Sequence, residues 1–273
     1  MLIYDSHIHT KHSHDGKASV EEIVKSASDL GLSGVTITDH FDCERYSSKD
    51  DFKHIYKSLE DIEKASKKSE IDVLKGVEIG DWVYSKEFGD YCIKTCDFDF
   101  ILASIHSAST GKRVIDGFDG YKCFLNTTPE EDVRFVDFYY ENLKNTAQYA
   151  DFDSLAHLTY PLRYLNGMCQ RNFSLENYIK EIEEILKTII AREKAIEINT
   201  SGLKNNFNDT MPHKEIIKLY YDMGGRLITI GSDAHLACHI ATGFDETYEV
   251  LKKIGFENYY IYKSRKPVPI SIL

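Results

Sequence analysis

A chain of 273 residues, 42% hydrophobic and 28% charged, can bury one substantial core, and mixed α/β chains of this length are commonly one domain. The formal net charge of −11 excludes a nucleic-acid binder that works through clustered Lys and Arg. It does not exclude a small phosphorylated ligand, because bound divalent ions would reverse the local sign.

In chain order, a candidate strand at residues 2–5 leads into His7-Ile8-His9. Ser19-Val20-Glu21-Glu22 is a capping box that opens a helix running to Leu30 and stopping at Gly31. A strand at 35–38 leads into Asp39-His40, a helical pattern covers 50–69, and a strand at 73–79 carries Glu78 near its end. The strand at 100–104 leads into His106. Thr128-Pro129-Glu130-Glu131 supplies an N-cap, a proline at the first helical position and an acid at the third, so a helix starts there. A strand at 154–156 precedes His157, a helix spans 174–192, and a strand at 195–198 precedes Asn199. The last helix, 213–223, ends at Gly224-Gly225; a strand at 227–230 then leads into Asp233 and His235, and a weaker strand is expected at 259–262. This alternation predicts a mainly parallel sheet wrapped by helices. No GxGxxG follows the first strand, which favours a barrel over an open doubly wound sheet.

No basic, apolar leader opens the sequence and no apolar run approaches the ~20 residues of a membrane helix, so a cytoplasmic protein with no membrane partner is expected. Cys43, Cys92, Cys96, Cys123, Cys169 and Cys238 form no CxxC pair, and reduced thiols are expected. No signature fixes an oligomeric state.

Nearly every candidate strand therefore runs into a metal-ligand residue type, and in a parallel barrel the C-terminal strand ends share one face. Taken singly, each of these histidines is ordinarily a hydrogen-bonded strand-end residue. Their repetition at the same strand position is what points to a site. His7 and His9 leave an extended segment on one face. Imidazole and carboxylate donors without cysteine suit zinc, iron or manganese. Two ions ~3.5–4 Å apart can hold a hydroxide and neutralise a phosphoryl group during in-line attack. Like charges that close need a bridging carboxylate, for which Glu78 is the candidate. GxSxG and Cys-x5-Arg, marks of a covalent nucleophile, are both absent.

The ordered set His7-Ile8-His9-Thr10 with Asp15-Gly16, Thr38-Asp39-His40, Gly76-Val77-Glu78, Ser104-Ile105-His106, His157 and Gly231-Ser232-Asp233-Ala234-His235 resembles the polymerase and histidinol phosphatase (PHP) family. The resemblance implies a distorted (β/α)7, TIM-like barrel formed by one metal-dependent phosphatase domain over residues 1–273. It implies two or three divalent ions: one on His7, His9, Glu78 and Asp233, one on Glu78, His106 and His157, and a third on His40, His235 and the residue at position 15. Many family members carry histidine at that position; here it is Asp15, with His14 beside it as the alternative. The segments His157-Leu158-Thr159-Tyr160-Pro161-Leu162-Arg163-Tyr164 and Glu197-Ile198-Asn199-Thr200-Ser201-Gly202-Leu203 are most similar to the monofunctional histidinol-phosphate phosphatases of that family.

The implied reaction is hydrolysis of a small phosphomonoester, L-histidinol phosphate first, by hydroxide attack on phosphorus, with Asp39, Asp233 or His235 as candidate general acids. Asp39 is equally a candidate for orienting a ligand. Arg163 is the candidate fork for the phosphate oxygens, with Asn199, Ser201 and Lys204 as further substrate contacts. Lys204 replaces the arginine that related phosphatases often carry. Asp42 and Glu44 are weak candidates for the substrate's ammonium, and the segment between His106 and His157 for a cover over the site. His12, His54, His213 and His239 are not assigned to it. Phosphotyrosine or nucleotide hydrolysis, or a metal-binding module without catalysis, are the rival readings.

Overall fold

The computed structural model describes residues 2–45, 52–109, 114–116, 124–204 and 206–272. Seven parallel strands follow one another around a ring: β1 (Tyr4–Ile8), β2 (Gly34–Ile37), β4 (Asp72–Gly80), β5 (Phe100–Ser104), β8 (Ser154–Leu155), β9 (Ala195–Asn199) and β10 (Ile228–Gly231). The short β3 (His40–Asp42) joins alongside β4, with His40 opposite Glu78. The ring is nearly closed. Ile8 and Ala234 form a parallel bridge, and His9 N donates to Ala234 O at 2.9 Å.

Around the ring lie α1 (Val20–Asp29), α2 (Lys53–Ser66), α3 (Lys86–Thr95), α4 (Pro129–Tyr149), the one-turn α5 (Tyr160–Leu162), α6 (Ile179–Ala191), α7 (Lys214–Asp222) and α8 (Phe244–Ile254). Both expected capping boxes are present. Ser19 Oγ accepts from Glu22 N at the start of α1, and Thr128 does the same for Glu131 N at the start of α4; each cap contributes about 1 kcal/mol. α1 buries Val20, Ile23 and Ala27, and α6 buries Ile182, Ile185, Leu186 and Ile189, spacings that give each helix one apolar stripe against the sheet. The strands are buried on both faces, as parallel strands under helices must be. This is the parallel sheet wrapped by helices that the alternation predicted, closed into the α/β, TIM-like barrel of seven strands that the resemblance implied.

Several elements depart from expectation. The first strand lies later than residues 2–5, because Leu2 is exposed while the polar run Asp5-Ser6-His7 is buried. Its register shifts between Asp5 and Ile8, an irregularity of the kind that re-aims side chains. The weak strand near 259–262 is not in the barrel. It is β11 (Asn258–Lys263), which forms an antiparallel hairpin with β12 (Lys266–Ser271). That hairpin is tied back by Tyr4 N donating to Tyr259 Oη at 2.9 Å. A second small hairpin, β6 (Ser107–Ser109) with β7 (Val114–Asp116), follows β5. The helix expected from 174 begins instead as a 3-10 turn, Glu176–Tyr178. α3 and α8 are not among the expected helices, and neither carries a side-chain cap. Among the described residues no disulfide joins the five cysteines, and no helix is long and apolar enough to cross a membrane.

Candidate metal centre

Glu78 occupies an inward position near the C-terminal end of β4 and is fully buried. Its two oxygens face different imidazoles. Oε2 lies 3.0 Å from His40 Nδ1, 3.2 Å from His7 Nε2 and 3.4 Å from His9 Nε2. Oε1 lies 3.0 Å from His157 Nε2 and 3.1 Å from His106 Nε2. On the first side Asp233 Oδ1 adds a second carboxylate, 3.4 Å from His9 Nε2 and 3.8 Å from His7 Nε2. At the mouth, Asp15 Oδ2 is 2.9 Å from His235 Nε2 and Oδ1 is 3.7 Å from His40 Nε2.

Among the described residues these side chains form four overlapping groups able to hold a cation: His7, His9 and Asp233; Glu78, His106 and His157; His40, Asp42 and His106; and His9, His40 and His235. In this last group the His9 ring is stacked on those of His40 and His235 at 4.0 and 4.3 Å. Its Nδ1 lies 3.1 Å from Ser13 Oγ, however, and its Nε2 faces the first group. Asp15 stands beside this group with one oxygen towards each of His40 and His235. His14 stands beside it, 39% exposed, with its ring 5.4 Å from that of His40.

The donor chemistry fits divalent ions. His7 Nε2 and His9 Nε2 face each other at 2.9 Å. The converging donors are imidazole nitrogens and carboxylate oxygens alone, the set that zinc, iron and manganese accept. The imidazoles are also aimed by groups behind them. His7 Nδ1 meets Glu197 Oε1 at 2.5 Å, and His106 Nδ1 meets Asp42 Oδ1 at 2.8 Å. Such partners fix the tautomer and point Nε2 inward. Two glycines make room for them. A Cβ on Gly231 would stand 2.6 Å from Glu197 Oε1, and one on Gly80 only 2.0 Å from Asp42 Oδ1. His157 (φ 26°) and Asp233 (φ 51°) are held at positive φ, the local strain that functional sites often carry.

Electrostatics divide the cluster. Burial opposes charge on His7 and His106, yet the carboxylates around them win: Glu197, Glu78 and Asp233 hold His7 well above its ordinary value, and Glu78 and Asp42 do so for His106. His9 is pushed down to about 3 by burial and by the neighbouring His40 and His235. Burial raises the carboxyls of Glu78 and Asp233, but the adjacent imidazoles hold both well below the carboxylate range. The shifts thus favour the charged form of His7 and His106 beside the carboxylates, and the neutral form of His9 and His157.

Of the expected substrate contacts, Arg163 stands at the mouth. Its Nη1 donates to Asp233 Oδ2 and to Ser201 Oγ, both at 3.1 Å, and Nη2 to Tyr164 Oη at 2.8 Å. Ser201 Oγ is 3.3 Å from Asp233 Oδ2. Asn199 is placed differently from expectation. Its Oδ1 accepts from Ser201 N and Oγ, and its Nδ2 donates to Glu197 Oε2, so it braces neighbours. Lys204 turns its ammonium onto the carbonyls of Ser232 and His239, both at 3.1 Å. Asp39 does not face the cluster: its carboxylate accepts from Thr10 N, Thr10 Oγ1, Ser13 Oγ and Ser58 Oγ. Asp42 is buried against His106 and is unavailable to a substrate ammonium. His54, unassigned from sequence, supports the site through its Nε2, 3.0 Å from His40 O. His12 pairs with Asp61 instead. The Glu44 side chain, and residues 110–113 and 117–123 of the expected cover, lie outside the described residues.

Glu197 was missed. Its signal was present as a carboxylate within the apolar run Ala195-Ile196-Glu197-Ile198, where a buried acid demands a partner.

Comparison with known proteins follows the same lines. Residues 5–201 match the family described as "PHP domain". The sequence is 34% identical over 271 residues to a protein of Thermotoga maritima named "Probable histidinol-phosphatase", covering 98% of this chain and 99% of that one. It is 26% identical to the "Histidinol-phosphatase" of Lactococcus lactis, covering 96% and 95%. A crystal structure of histidinol phosphate phosphatase from Lactococcus lactis, complexed with zinc, L-histidinol and phosphate, superposes with a TM-score of 0.78 at 23% identity, covering 97% of this chain and 98% of that chain. A structure described as a putative histidinol phosphatase from Listeria monocytogenes gives 0.72 at 18% identity, covering 89% and 99%. These two likenesses establish the shared fold.

Proposed function

Since this chain belongs to the PHP domain family, we propose that it hydrolyses a small phosphomonoester, L-histidinol phosphate, to L-histidinol and inorganic phosphate at a cluster of divalent ions. The observation that carries this reading is the division of Glu78 between two sets of imidazoles, which makes it a ready bridge between two cations. His7, His9, Glu78 and Asp233 would hold one ion; Glu78, His106 and His157 a second; Asp15, His40 and His235 a third. Bound divalent ions supply Lewis acidity, generating a nucleophile from water near neutral pH and neutralising phosphoryl oxygens. The choice of substrate rests on the relatives that share most of the chain's length, and a biosynthetic substrate of this kind supports a cytoplasmic enzyme.

The protein's own groups do the positioning. Arg163 presents a planar fork beside Asp233 and Ser201, suited to the non-bridging oxygens of a phosphate. Of the three candidate proton donors, Asp39 is saturated by N–H and hydroxyl donors and Asp233 is held ionised, which leaves His235 at the mouth. An ion held by His235 Nε2 would exclude a proton from that same nitrogen, so with a third ion bound His235 would no longer donate from Nε2 to the leaving alcohol.

The test is a substrate panel on purified protein: histidinol phosphate, p-nitrophenyl phosphate, phosphotyrosine and nucleoside monophosphates, before and after chelation and re-addition of Mn, Fe or Zn. The reading requires metal-dependent hydrolysis with histidinol phosphate preferred by a wide margin in kcat/KM. Equal turnover of the panel removes the substrate assignment, and activity unaffected by chelation removes the mechanism.

A further inference from the structure

The carboxylate of Glu197, on β9, touches no position where substrate or ion would sit. Its Oε1 lies 2.5 Å from His7 Nδ1, while Oε2 accepts from the backbone N–H of His157 at 2.9 Å and from Asn199 Nδ2 at 3.2 Å. It is 1% exposed. One side chain thus braces a member of each of the two buried donor groups, and one of those members, His157, sits at a φ of 26°. Gly231, opposite Asn199 in the β9–β10 ladder, leaves the space in which the His7–Glu197 contact is made.

Resting on the metal-dependent reading above, we infer that Glu197 is the positioning residue that fixes His7 as an Nε2 ligand, and that it does so because only a carboxylate can accept on both oxygens. When His7 gives its Nε2 lone pair to an ion, its proton resides on Nδ1 and needs an acceptor. The His157 N–H and the Asn199 amide need one as well. Glutamate satisfies all three donors with two acceptor oxygens. Glutamine, of the same shape, carries one acceptor and one donor. With its oxygen kept on His157 N and Asn199 Nδ2, its amide faces His7 and drives the proton to Nε2, where it blocks the metal. With the oxygen turned to His7, the amide meets two donors. Neither orientation restores the native pattern, although both fill the native volume.

This separates positioning from mere packing. Glu197→Gln is expected to keep its fold by circular dichroism and to bind zinc 10–100-fold more weakly, the usual loss when a partner behind a metal ligand is changed. Glu197→Asp, which retains two acceptor oxygens, is expected to recover part of that affinity. Affinity is read by competition with a chromophoric chelator, and ion content by elemental analysis, so neither readout needs substrate. Zinc held by the glutamine variant as tightly as by the parent overturns the inference. Should that variant fail to fold, histidine nitrogen NMR on the parent zinc protein decides. A proton on His7 Nδ1 with the metal on Nε2 supports the inference, and a bare Nδ1 overturns it. Failure of the parent protein to hydrolyse histidinol phosphate would count against the functional reading and leave these binding results standing.

Discussion

Ser13 Oγ lies 3.1 Å from His9 Nδ1 and donates to Asp39 Oδ1 at 2.8 Å, so the carboxylate of Asp39 reaches the cluster through a hydroxyl. Ser13 Oγ also accepts from His40 N at 3.0 Å, which ties the loop after β1 to the start of β3. Ser13→Ala leaves His9 Nδ1 without that acceptor. We expect zinc affinity to fall ~10-fold, the lower end for a partner behind a ligand. Titration against a competing chelator measures this, and unchanged affinity would show that packing alone fixes the His9 ring.

Glu78→Gln tests the bridge itself. An amide offers one lone-pair oxygen and a donor where two sets of imidazoles need an anion on both sides. Turnover should fall by more than ~100-fold, the upper end seen for partners outside the ligand set, with ion content reduced. Far-ultraviolet dichroism should be unchanged, since the residue contributes no apolar packing. Retained turnover would remove Glu78 from the centre of the mechanism.

Arg163→Ala removes the fork at the mouth. Hydrogen bonds to a charged group contribute about 1.5–3 kcal/mol, so kcat/KM should drop roughly 10–100-fold at about 1.4 kcal/mol per decade. Inhibition by inorganic phosphate should weaken in parallel while ion content holds. Arg163→Lys should rescue little, because a point charge cannot present two parallel donors. If KM and phosphate inhibition are both unchanged, Arg163 serves only to hold Asp233.

The third group is the most exposed: Asp15 and His235 side chains are 36% and 28% accessible, against 0% for His7 and 3% for His106. Asp15→Asn should therefore remove one ion equivalent at most and spare the two buried positions. Ion content by elemental analysis after dialysis checks this. Loss of all bound metal would mean that the three groups fill as one.

A stability prediction lies far from the centre. The Asp72 carboxylate accepts from Tyr4 Oη at 2.7 Å and from Lys263 Nζ at 2.8 Å, joining the start of β4 to the C-terminal hairpin. Burial raises its pKa, but Lys263 and Tyr4 outweigh it and the value is lowered. A depressed folded-state pKa contributes stability that is present above the unfolded value of about 3.9 and lost as pH falls through the folded one. The group is partly exposed, so the contribution is about 0–1 kcal/mol. Melting curves for the parent and Asp72→Asn should differ most near pH 6 and converge near pH 2.

The clustering of these histidines and acids was legible in the sequence because the chemistry recurs at equivalent places. A histidine or acid follows strand after strand, and a parallel barrel must gather those ends. What lay behind the ligands was far less legible. Asp39, Asp42 and Asn199 were visible as polar residues at strand ends, but chain order does not say which way such a side chain turns. Asp42 turned to His106, Asn199 to Ser201 and Glu197, and Asp39 to hydroxyls on α2 and the loop after β1. Lys204 looked like a phosphate contact by position, and the carbonyls of Ser232 and His239 captured it. Helices with capping boxes were foreseen to within a residue or two at their starts, while the uncapped α3 and α8 were not.

The closure of the ring between Ile8 and Ala234 has a consequence for how the protein is made. His7 and His9 leave the ribosome long before Asp233 and His235, and Ser232 N meets Asp5 Oδ1 across 227 residues of sequence. Contacts of such separation form late and slow the folding of the chains that need them. A nascent chain would carry several of its ion-binding side chains with no complete set among them, and metal capture should be among the final events of its biogenesis.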